Sequence, residues 1–206
     1  MELAIIDYGM GNLRSVENAC DALGYSARVT NNPEDLRTTD KIILPGVGAF
    51  GDGMDLLRRG GWIPVLEEEV RVKGKPFLGL CLGMQLLATK GYEHGTYEGL
   101  NWISGAVDRI QSDDPSLRIP HIGWNDVRVI KEDGLYKDHA KETTFYFLHS
   151  FAFKPDDPAT VSGTCLYGME FAASVEVDNI YAAQYHPEKS QKCGLAVLKN
   201  FLSAGE

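Results

Sequence analysis

The sequence predicts an α/β protein: a mostly parallel central sheet flanked by helices, with additional antiparallel strands in the second half. In the first half, short continuous apolar runs alternate with segments of helical periodicity, which is typical of parallel strands buried on both faces. In the second half, aromatic-rich segments of alternating polarity predict antiparallel strands. The 206 residues, 44% of them hydrophobic, can form one full core, so we expect a single domain over residues 1–206.

Four strands separated by helices are predicted in the first half. We expect strands at residues 3–6, 26–29, 41–44 and 76–80, and helices over 13–23, from Asn32 onwards, and over 54–72 with a break near Gly60. We expect Pro45 to end the third strand. Ligands of an open α/β sheet bind at the carboxyl ends of the strands, so a site is expected among the loops at 9–12, 45–51 and 79–83.

The second half is predicted to add antiparallel strands and a closing helix. Alternating segments at 126–130, 144–153 and 181–185 are the clearest strand candidates, and 190–202 has the pattern of a helix.

Composition excludes several classes of protein. The chain has 20 Lys and Arg against 29 Asp and Glu, a net charge of −9, which argues against nucleic acid as a partner. No apolar run reaches the ~18 residues of a membrane span, and the first residues lack the basic head of a signal peptide, so a cytoplasmic protein without a membrane partner is expected. The four cysteines lie far apart, without a C-x-x-C pair, which indicates reduced thiols and no metal site.

A cysteine between two glycines is the most informative feature. Cys81 follows the fourth predicted strand, with Gly79 and Gly83 on either side, in the thiol version of the G-x-S-x-G nucleophile turn. Such a strained turn presents the thiol, and the start of a following helix would favour its thiolate and leave the N–H of Leu82 free for an oxyanion. The alternative is a buried cysteine in a glycine-rich packing turn.

A nucleophilic thiol needs a base, and His186 is the best candidate among five histidines. It begins the sequence H-P-E, in which Glu188 can accept a hydrogen bond and fix the imidazole tautomer. The alternative is a loop histidine with an incidental ion pair. His149 is the rival base, although its aromatic strand is more typical of a packed or substrate-facing residue.

Taken together, the segments P-G-V-G (45–48), G-L-C-L-G-M-Q (79–85) and H-P-E (186–188) resemble the class I (triad) glutamine amidotransferases, in order and over almost the whole chain. Within that family, P-H-I-G-W-N (120–125), Y-F-L-H-S (146–150) and H-P-E-K-S (186–190) are similar to the glutaminase subunits of imidazole glycerol phosphate synthases. The resemblance implies a flavodoxin-like fold and the hydrolysis of glutamine to glutamate and ammonia, without a cofactor.

The resemblance also implies roles for individual residues. Cys81 would be the nucleophile, His186 the base and Glu188 the residue that orients it. The remaining implied residues are the backbone oxyanion donors Leu82, Val47 and Gly48, and the substrate contacts Gly48, Gln85, Glu93, His149, Ser150 and Phe151. Glu93 stands in Gly-Tyr-Glu-His-Gly, where relatives usually have a Ser-Glu-Glu-Gly-like stretch, and Tyr185 replaces a more usual Phe.

The chain offers no second motif that could use the ammonia, so a partner is expected. The resemblance implies a heterodimer with a (β/α)₈ cyclase subunit of histidine biosynthesis, docked through Asn12, Trp124, Tyr146 and Lys189. Core packing of the two aromatics is the alternative. Two other functions stay open: a stand-alone γ-glutamyl hydrolase or cysteine peptidase of similar fold, and a non-enzymatic thiol sensor.

Overall fold

The computed structural model describes residues 1–112 and 114–204, which form two sheets and five α-helices. The helices are α1 (Leu13–Ala22), α2 (Phe50–Arg59), α3 (Trp62–Leu66), α4 (Leu82–Gln85) and α5 (Gln191–Ser203). The strands are β1 (Leu3–Ile6), β2 (Ala27–Thr30), β3 (Lys41–Gly46), β4 (Phe77–Cys81), β5 (Lys90–Gly91), β6 (Tyr97–Glu98), β7 (Gly105–Arg109), β8 (His121–Val129), β9 (Glu142–His149), β10 (Phe151–Pro155), β11 (Val161–Tyr167), β12 (Met169–Val177) and β13 (Ile180–Ala183). Within the described residues no helix has the length and apolar character needed to cross a membrane.

The main sheet contains nine strands in the order β2-β1-β3-β4-β13-β12-β11-β8-β9. Its first five strands are parallel, and β12, β11, β8 and β9 continue it in antiparallel fashion. A smaller sheet, in the order β10-β7-β5-β6, lies beside it. The predicted fold class, a mostly parallel sheet extended by antiparallel strands from the second half, is therefore confirmed.

Helices cover both faces of the parallel strands, as continuous apolar runs require. Alternate side chains of β1 enter different hydrophobic clusters: Ala4 and Ile6 pack with residues of α2 and α3, while Leu3 and Ile5 pack with residues of α1 and α5. All residues of β1, β3 and β4 are buried. Burying both faces leaves only the ends of these strands available for a site.

Pro45 does not end the third strand, which continues to Gly46. Beyond Ile43, β3 pairs only with β4, so the missing N–H of Pro45 faces no partner strand on the β1 side. The prediction was wrong because a proline is acceptable where one edge of a strand is unpaired. The extension brings Gly46 opposite Cys81.

The helix predicted over 54–72 begins earlier and is divided. It starts at Phe50, ends at Arg59, and resumes after Gly61 (φ +70°) as α3, which continues as a π-helix over Glu67–Val72. Gly53 hid the true start, because glycine is a poor helix former. A Cβ at Gly53 would lie 3.2 Å from Leu82, so close packing of α2 against α4 explains the glycine.

Two of the segments predicted as antiparallel strands have a different arrangement. The stretch 144–153 is two strands, because the chain leaves the main sheet after His149 and enters the second sheet at Phe151. Strand β13 is antiparallel to β12 but parallel to β4, so it belongs to the parallel half of the sheet. Alternation alone does not distinguish the two pairings.

Candidate active site

Cys81 is the last residue of β4 and lies in a strained turn. Its backbone has φ 53° and ψ −107°, a sparsely populated region for a residue with a side chain. A Cβ at Gly79 would lie 2.7 Å from the carbonyl oxygen of Gly83, and one at Gly83 would lie 2.0 Å from that of Leu44. Both flanking glycines are therefore required by close backbone approach, which favours the elbow interpretation over ordinary packing.

The helix behind Cys81 is shorter than expected. It covers only Leu82–Gln85, a single turn, so the helix dipole contributes little to stabilising a thiolate. Leu82 is nevertheless its first residue, where helix geometry provides no acceptor within the helix for the N–H.

His186 is held from three sides. Its Nδ1 lies 2.9 Å from Oε1 of Glu188, and both side chains are buried. Its backbone N–H donates to the carbonyl oxygen of Tyr146 (2.9 Å), and its carbonyl accepts from the hydroxyl of Ser190 (2.6 Å). Because a carboxylate only accepts hydrogen bonds, Nδ1 carries a proton and Nε2 is the nitrogen available for proton exchange.

The environment of His186 favours its protonated form. Burial would lower the pKa of His186, but interactions with Cys81 and Glu188 raise it to about 10. Its Nε2 is buried and makes no hydrogen bond of regular geometry among the described residues, which leaves it available to exchange a proton with the Cys81 thiol in the same cavity. The Cys81 sulfur also lies 3.7 Å from Nε2 of Gln184.

Cys81 and His186 share a cavity of about 340 Å³ at the carboxyl edge of the sheet. Its other lining residues are Val47, Gly48, Ala49, Leu82, Gln85, Glu93, Pro120, Leu148, His149, Ser150 and Phe151. Every residue expected at the oxyanion and substrate positions lines this cavity, while Glu188 lies behind His186. A larger groove of about 1040 Å³, between α5 and the segment 137–144, is lined by none of them.

Two of the expected substrate residues carry structural hydrogen bonds. Nε2 of Gln85 donates to the carbonyl of Phe151 (2.9 Å) and to Oε1 of Gln184 (3.0 Å), which leaves only the amide oxygen of Gln85 for a ligand. Oε2 of Glu93 accepts from the N–H of Phe50 at the start of α2 (2.9 Å).

Gln184, which was not predicted as a site residue, is completely buried and contacts both Cys81 and Gln85. A signal was available, because alternate residues of an extended chain point to the same side and Gln184 stands two residues before His186. Leu148 was also missed: its carbonyl oxygen lies 3.9 Å from the thiol sulfur.

His149 is not placed to act as the base. It is buried, and its Nδ1 lies 2.8 Å from the carbonyl oxygen of Phe151 while its Nε2 lies 3.0 Å from Nδ1 of His121. Burial lowers the pKa of His149 to about 3 and that of His121 to about 4. Both rings are therefore neutral near pH 7, and both nitrogens of His149 are already engaged.

The two neutral histidines should make the fold sensitive to mild acid. Each has a folded-state pKa below its ordinary 6.5, so the unfolded chain binds more protons and stability falls as the pH drops from 6.5 towards 4. For His121 alone we expect a loss of about 1–2 kcal/mol between pH 6.5 and 5. Urea unfolding at pH 7 and at pH 5 measures this loss in the free energy of unfolding.

A variant isolates this contribution. His121→Phe should show a smaller pH-dependent loss than the unmodified protein, since one of the two groups no longer titrates. Glu176, whose pKa is raised by burial, acts in the opposite direction and is common to both proteins. If the free energy of unfolding depends on pH equally in the two proteins, His121 is not one of the groups responsible for the acid sensitivity.

The residues expected at a partner interface form one surface cluster, except for Asn12 at the start of α1. Trp124 and Tyr146 are cross-strand neighbours with ring centroids 6.0 Å apart, and Nζ of Lys189 lies 5.9 Å from the Tyr146 ring. Trp124 is 49% exposed, so the alternative of a core aromatic is wrong for this residue.

Within residues 1–112 and 114–204, no group of three or more His, Cys, Asp or Glu side chains is placed to hold a metal ion. The chemistry available at the cavity is that of a buried thiol and an imidazole with a raised pKa, and residues 47–49 and 81–82 lie beside each other in its lining.

Comparisons with known proteins agree with this geometry. Residues 4–204 match the family described as glutamine amidotransferase class-I. A relative from Geobacter sulfurreducens is 45% identical, covering 97% of each chain, and one from Campylobacter jejuni is 47% identical, covering 97% of this chain and 98% of the relative. They are named imidazole glycerol phosphate synthase subunit HisH and subunit HisH 1, respectively.

Solved structures show the same fold at lower identity. A crystal structure of a glutamine amidotransferase superposes with a TM-score of 0.74 at 19% identity, covering 97% of this chain and 96% of the other. The structure of PurLQS from Thermotoga maritima gives 0.75 at 19% identity, covering 98% and 97%. The chain belongs to the class I glutamine amidotransferase family, in the group of the imidazole glycerol phosphate synthase HisH subunits.

Proposed function

We propose that this chain hydrolyses glutamine to glutamate and ammonia through a thioester on Cys81, and passes the ammonia to a synthase subunit. The observation that carries the proposal is the shared cavity of Cys81 and His186, in which Glu188 holds the distal nitrogen of the imidazole. A thiol, a base and an orienting carboxylate are the groups that nucleophilic acyl transfer requires.

The steps follow from these groups. The Cys81 thiol transfers its proton to Nε2 of His186, and the thiolate attacks the side-chain amide carbon of glutamine. The tetrahedral oxyanion collapses, the C–N bond breaks, and the imidazolium returns its proton to the departing ammonia. His186 then takes a proton from water, and the resulting hydroxide attacks the thioester carbon. The C–S bond breaks to release glutamate, and the imidazolium returns its proton to the sulfur of Cys81.

The oxyanion would be stabilised by backbone N–H groups on the two loops that meet above Cys81. Leu82 supplies one N–H from the start of α4, and the Val47–Gly48 loop supplies another from the end of β3. All three residues line the cavity beside the thiol. Losing one such donor typically slows a reaction by about 10²–10³-fold.

Ammonia that reaches bulk water is protonated and lost as a nucleophile, so its consumer has to sit against the cavity. The cluster of Trp124, Tyr146 and Lys189 supports docking at this edge, because Tyr146 binds the backbone of His186 directly. The relatives are named as subunits of an imidazole glycerol phosphate synthase, which supports a synthase partner. We propose that this partner makes imidazole glycerol phosphate and an aminoimidazole carboxamide ribotide in histidine biosynthesis. We further propose that the partner is a (β/α)₈ barrel and that the pair works in the cytoplasm.

The decisive experiment measures glutamate release from glutamine by this chain, alone and with a cyclase subunit and its ribonucleotide ligand. We expect slow release alone and strong stimulation in the complex, because ammonia released without its consumer would be lost to bulk water. Full activity without a partner would indicate a stand-alone hydrolase, and no release in either case would indicate a non-enzymatic thiol protein.

A further inference from the structure

We propose that His121, which lies outside the cavity, is a positioning residue for glutamine hydrolysis: it fixes the tautomer of His149 and thereby holds the 149–151 crossover that forms one wall of the glutamine cavity. The inference rests on the proposed function, since it assigns a role towards the same substrate. It is carried by a continuous line of buried and partly buried hydrogen bonds that runs from strand β8 to the nucleophile.

The line starts at Asn125, whose amide orientation is determined by its partners. Its Oδ1 accepts from the N–H of Asp126 (2.9 Å), so the NH₂ group points to the carbonyl of Leu166 (3.1 Å) and to Nε2 of His121 (3.3 Å). An NH₂ group only donates, which makes Nε2 of His121 an acceptor. In a neutral imidazole the proton then belongs on Nδ1.

The same logic fixes His149. Nδ1–H of His121 donates to Nε2 of His149 (3.0 Å), so the proton of His149 is on Nδ1, where it donates to the carbonyl of Phe151 (2.8 Å). That carbonyl also accepts from Gln85 (2.9 Å), which contacts Gln184, whose Nε2 lies 3.7 Å from the Cys81 sulfur. Every donor in the line meets an acceptor only when both His121 and His149 carry their proton on Nδ1.

The position of His121 explains why the line is rigid. The imidazole lies between two aromatic rings, Tyr167 at 3.9 Å and Phe147 at 4.8 Å between centroids, and is 2% exposed. Phe171 packs against both histidines. A rotated or protonated His121 would lose the stacking or the bond from Asn125.

The crossover depends on this line because the chain changes sheets there. Strand β9 ends at His149 in the main sheet and β10 begins at Phe151 in the second sheet, so Ser150 belongs to neither strand, although its carbonyl accepts from the N–H of Ile110 (2.9 Å). The bond from His149 to Phe151 spans the break. Without the donor from His121, His149 can place its proton on Nε2 and release the Phe151 carbonyl.

Two substitutions at one position separate the donor from the ring. His121→Phe keeps an aromatic ring between Tyr167 and Phe147 but removes the donor, whereas His121→Asn keeps an N–H near the Nδ1 position and removes the ring. We expect His121→Phe to raise KM for glutamine roughly tenfold, the effect of one lost hydrogen bond, with kcat changed less than about threefold. His121→Asn should stay within about threefold of the unmodified KM. His139→Phe, a half-buried histidine at the distant groove, is the control.

A tautomer measurement gives a readout that does not depend on activity. The ¹⁵N shifts of His149 should report a protonated Nδ1 and an unprotonated Nε2 in the unmodified chain and in His121→Asn, and a mixture or the reverse in His121→Phe. An unchanged tautomer in His121→Phe, or equal KM effects of both substitutions, overturns the role of His121. If no protein releases glutamate with the cyclase, the proposed function fails, while the tautomer result still decides the hydrogen-bond assignment.

Discussion

Replacing Cys81 by alanine is expected to abolish glutamine-dependent synthesis by the complex, a loss of at least about 10⁴-fold, and to leave synthesis from added ammonium salts intact. Only the thiol can form the thioester, and the synthase site needs ammonia from any source. The substitution removes a single sulfur atom from a turn whose shape is set by the backbone around Gly79 and Gly83, so the fold should persist. Product formation with glutamine or with ammonium salts, measured on the same preparation, tests this.

A matched control is available in Cys165, another buried free thiol, which lies on β11 in the hydrophobic cluster that also contains Leu3 and Ile5. Cys165→Ala removes the same atom and should keep glutamine-dependent activity within about threefold, apart from the stability cost of a small cavity. Equal loss of both ammonia sources in Cys81→Ala would make Cys81 a structural residue.

Most of the fold was predictable because its parallel strands are buried on both faces. Continuous apolar runs located β1 and β4 almost to the residue, since little else in a chain produces such runs. The errors fall where tertiary packing overrides local preference. Pro45 is accepted because β3 has no partner on one side at that point, and Gly53 is accepted because α2 packs tightly on Leu82.

The candidate site was predictable to the extent that its chemistry is local in sequence. The turn around Cys81 and the H-P-E loop each carry their geometry in a few residues, so the motif was enough to find them. The line from Asn125 to Gln184 was not predictable, because it consists of contacts between residues up to about a hundred positions apart. The residues of this line also belong to no sequence motif, so only the directions of their hydrogen bonds in the structure identify them as connected to the site.

The second large effect is expected at the base and at the carboxylate that orients it, and the two should differ. His186→Ala removes the only proton acceptor proposed for the thiol and should slow glutamine turnover by about 10⁴-fold. Glu188→Gln keeps an oxygen that can accept from Nδ1, so the tautomer survives and the loss should be nearer 10²-fold, on the order of one charge-assisted hydrogen bond.

The pH profile separates a lost charge from a lost structure. Because Glu188 is one of the groups that raise the pKa of His186, its replacement by glutamine should lower that pKa and move the alkaline limb of the rate profile to lower pH. Glu170→Gln, which breaks an exposed ion pair with Arg128 (3.1 Å), is the control and should leave both the rate and the profile unchanged. Two outcomes would contradict the orienting role of Glu188. One is a larger loss of activity in Glu188→Gln than in His186→Ala. The other is an unchanged pH profile in Glu188→Gln, because an imidazole that keeps its pKa without that carboxylate is oriented by another group.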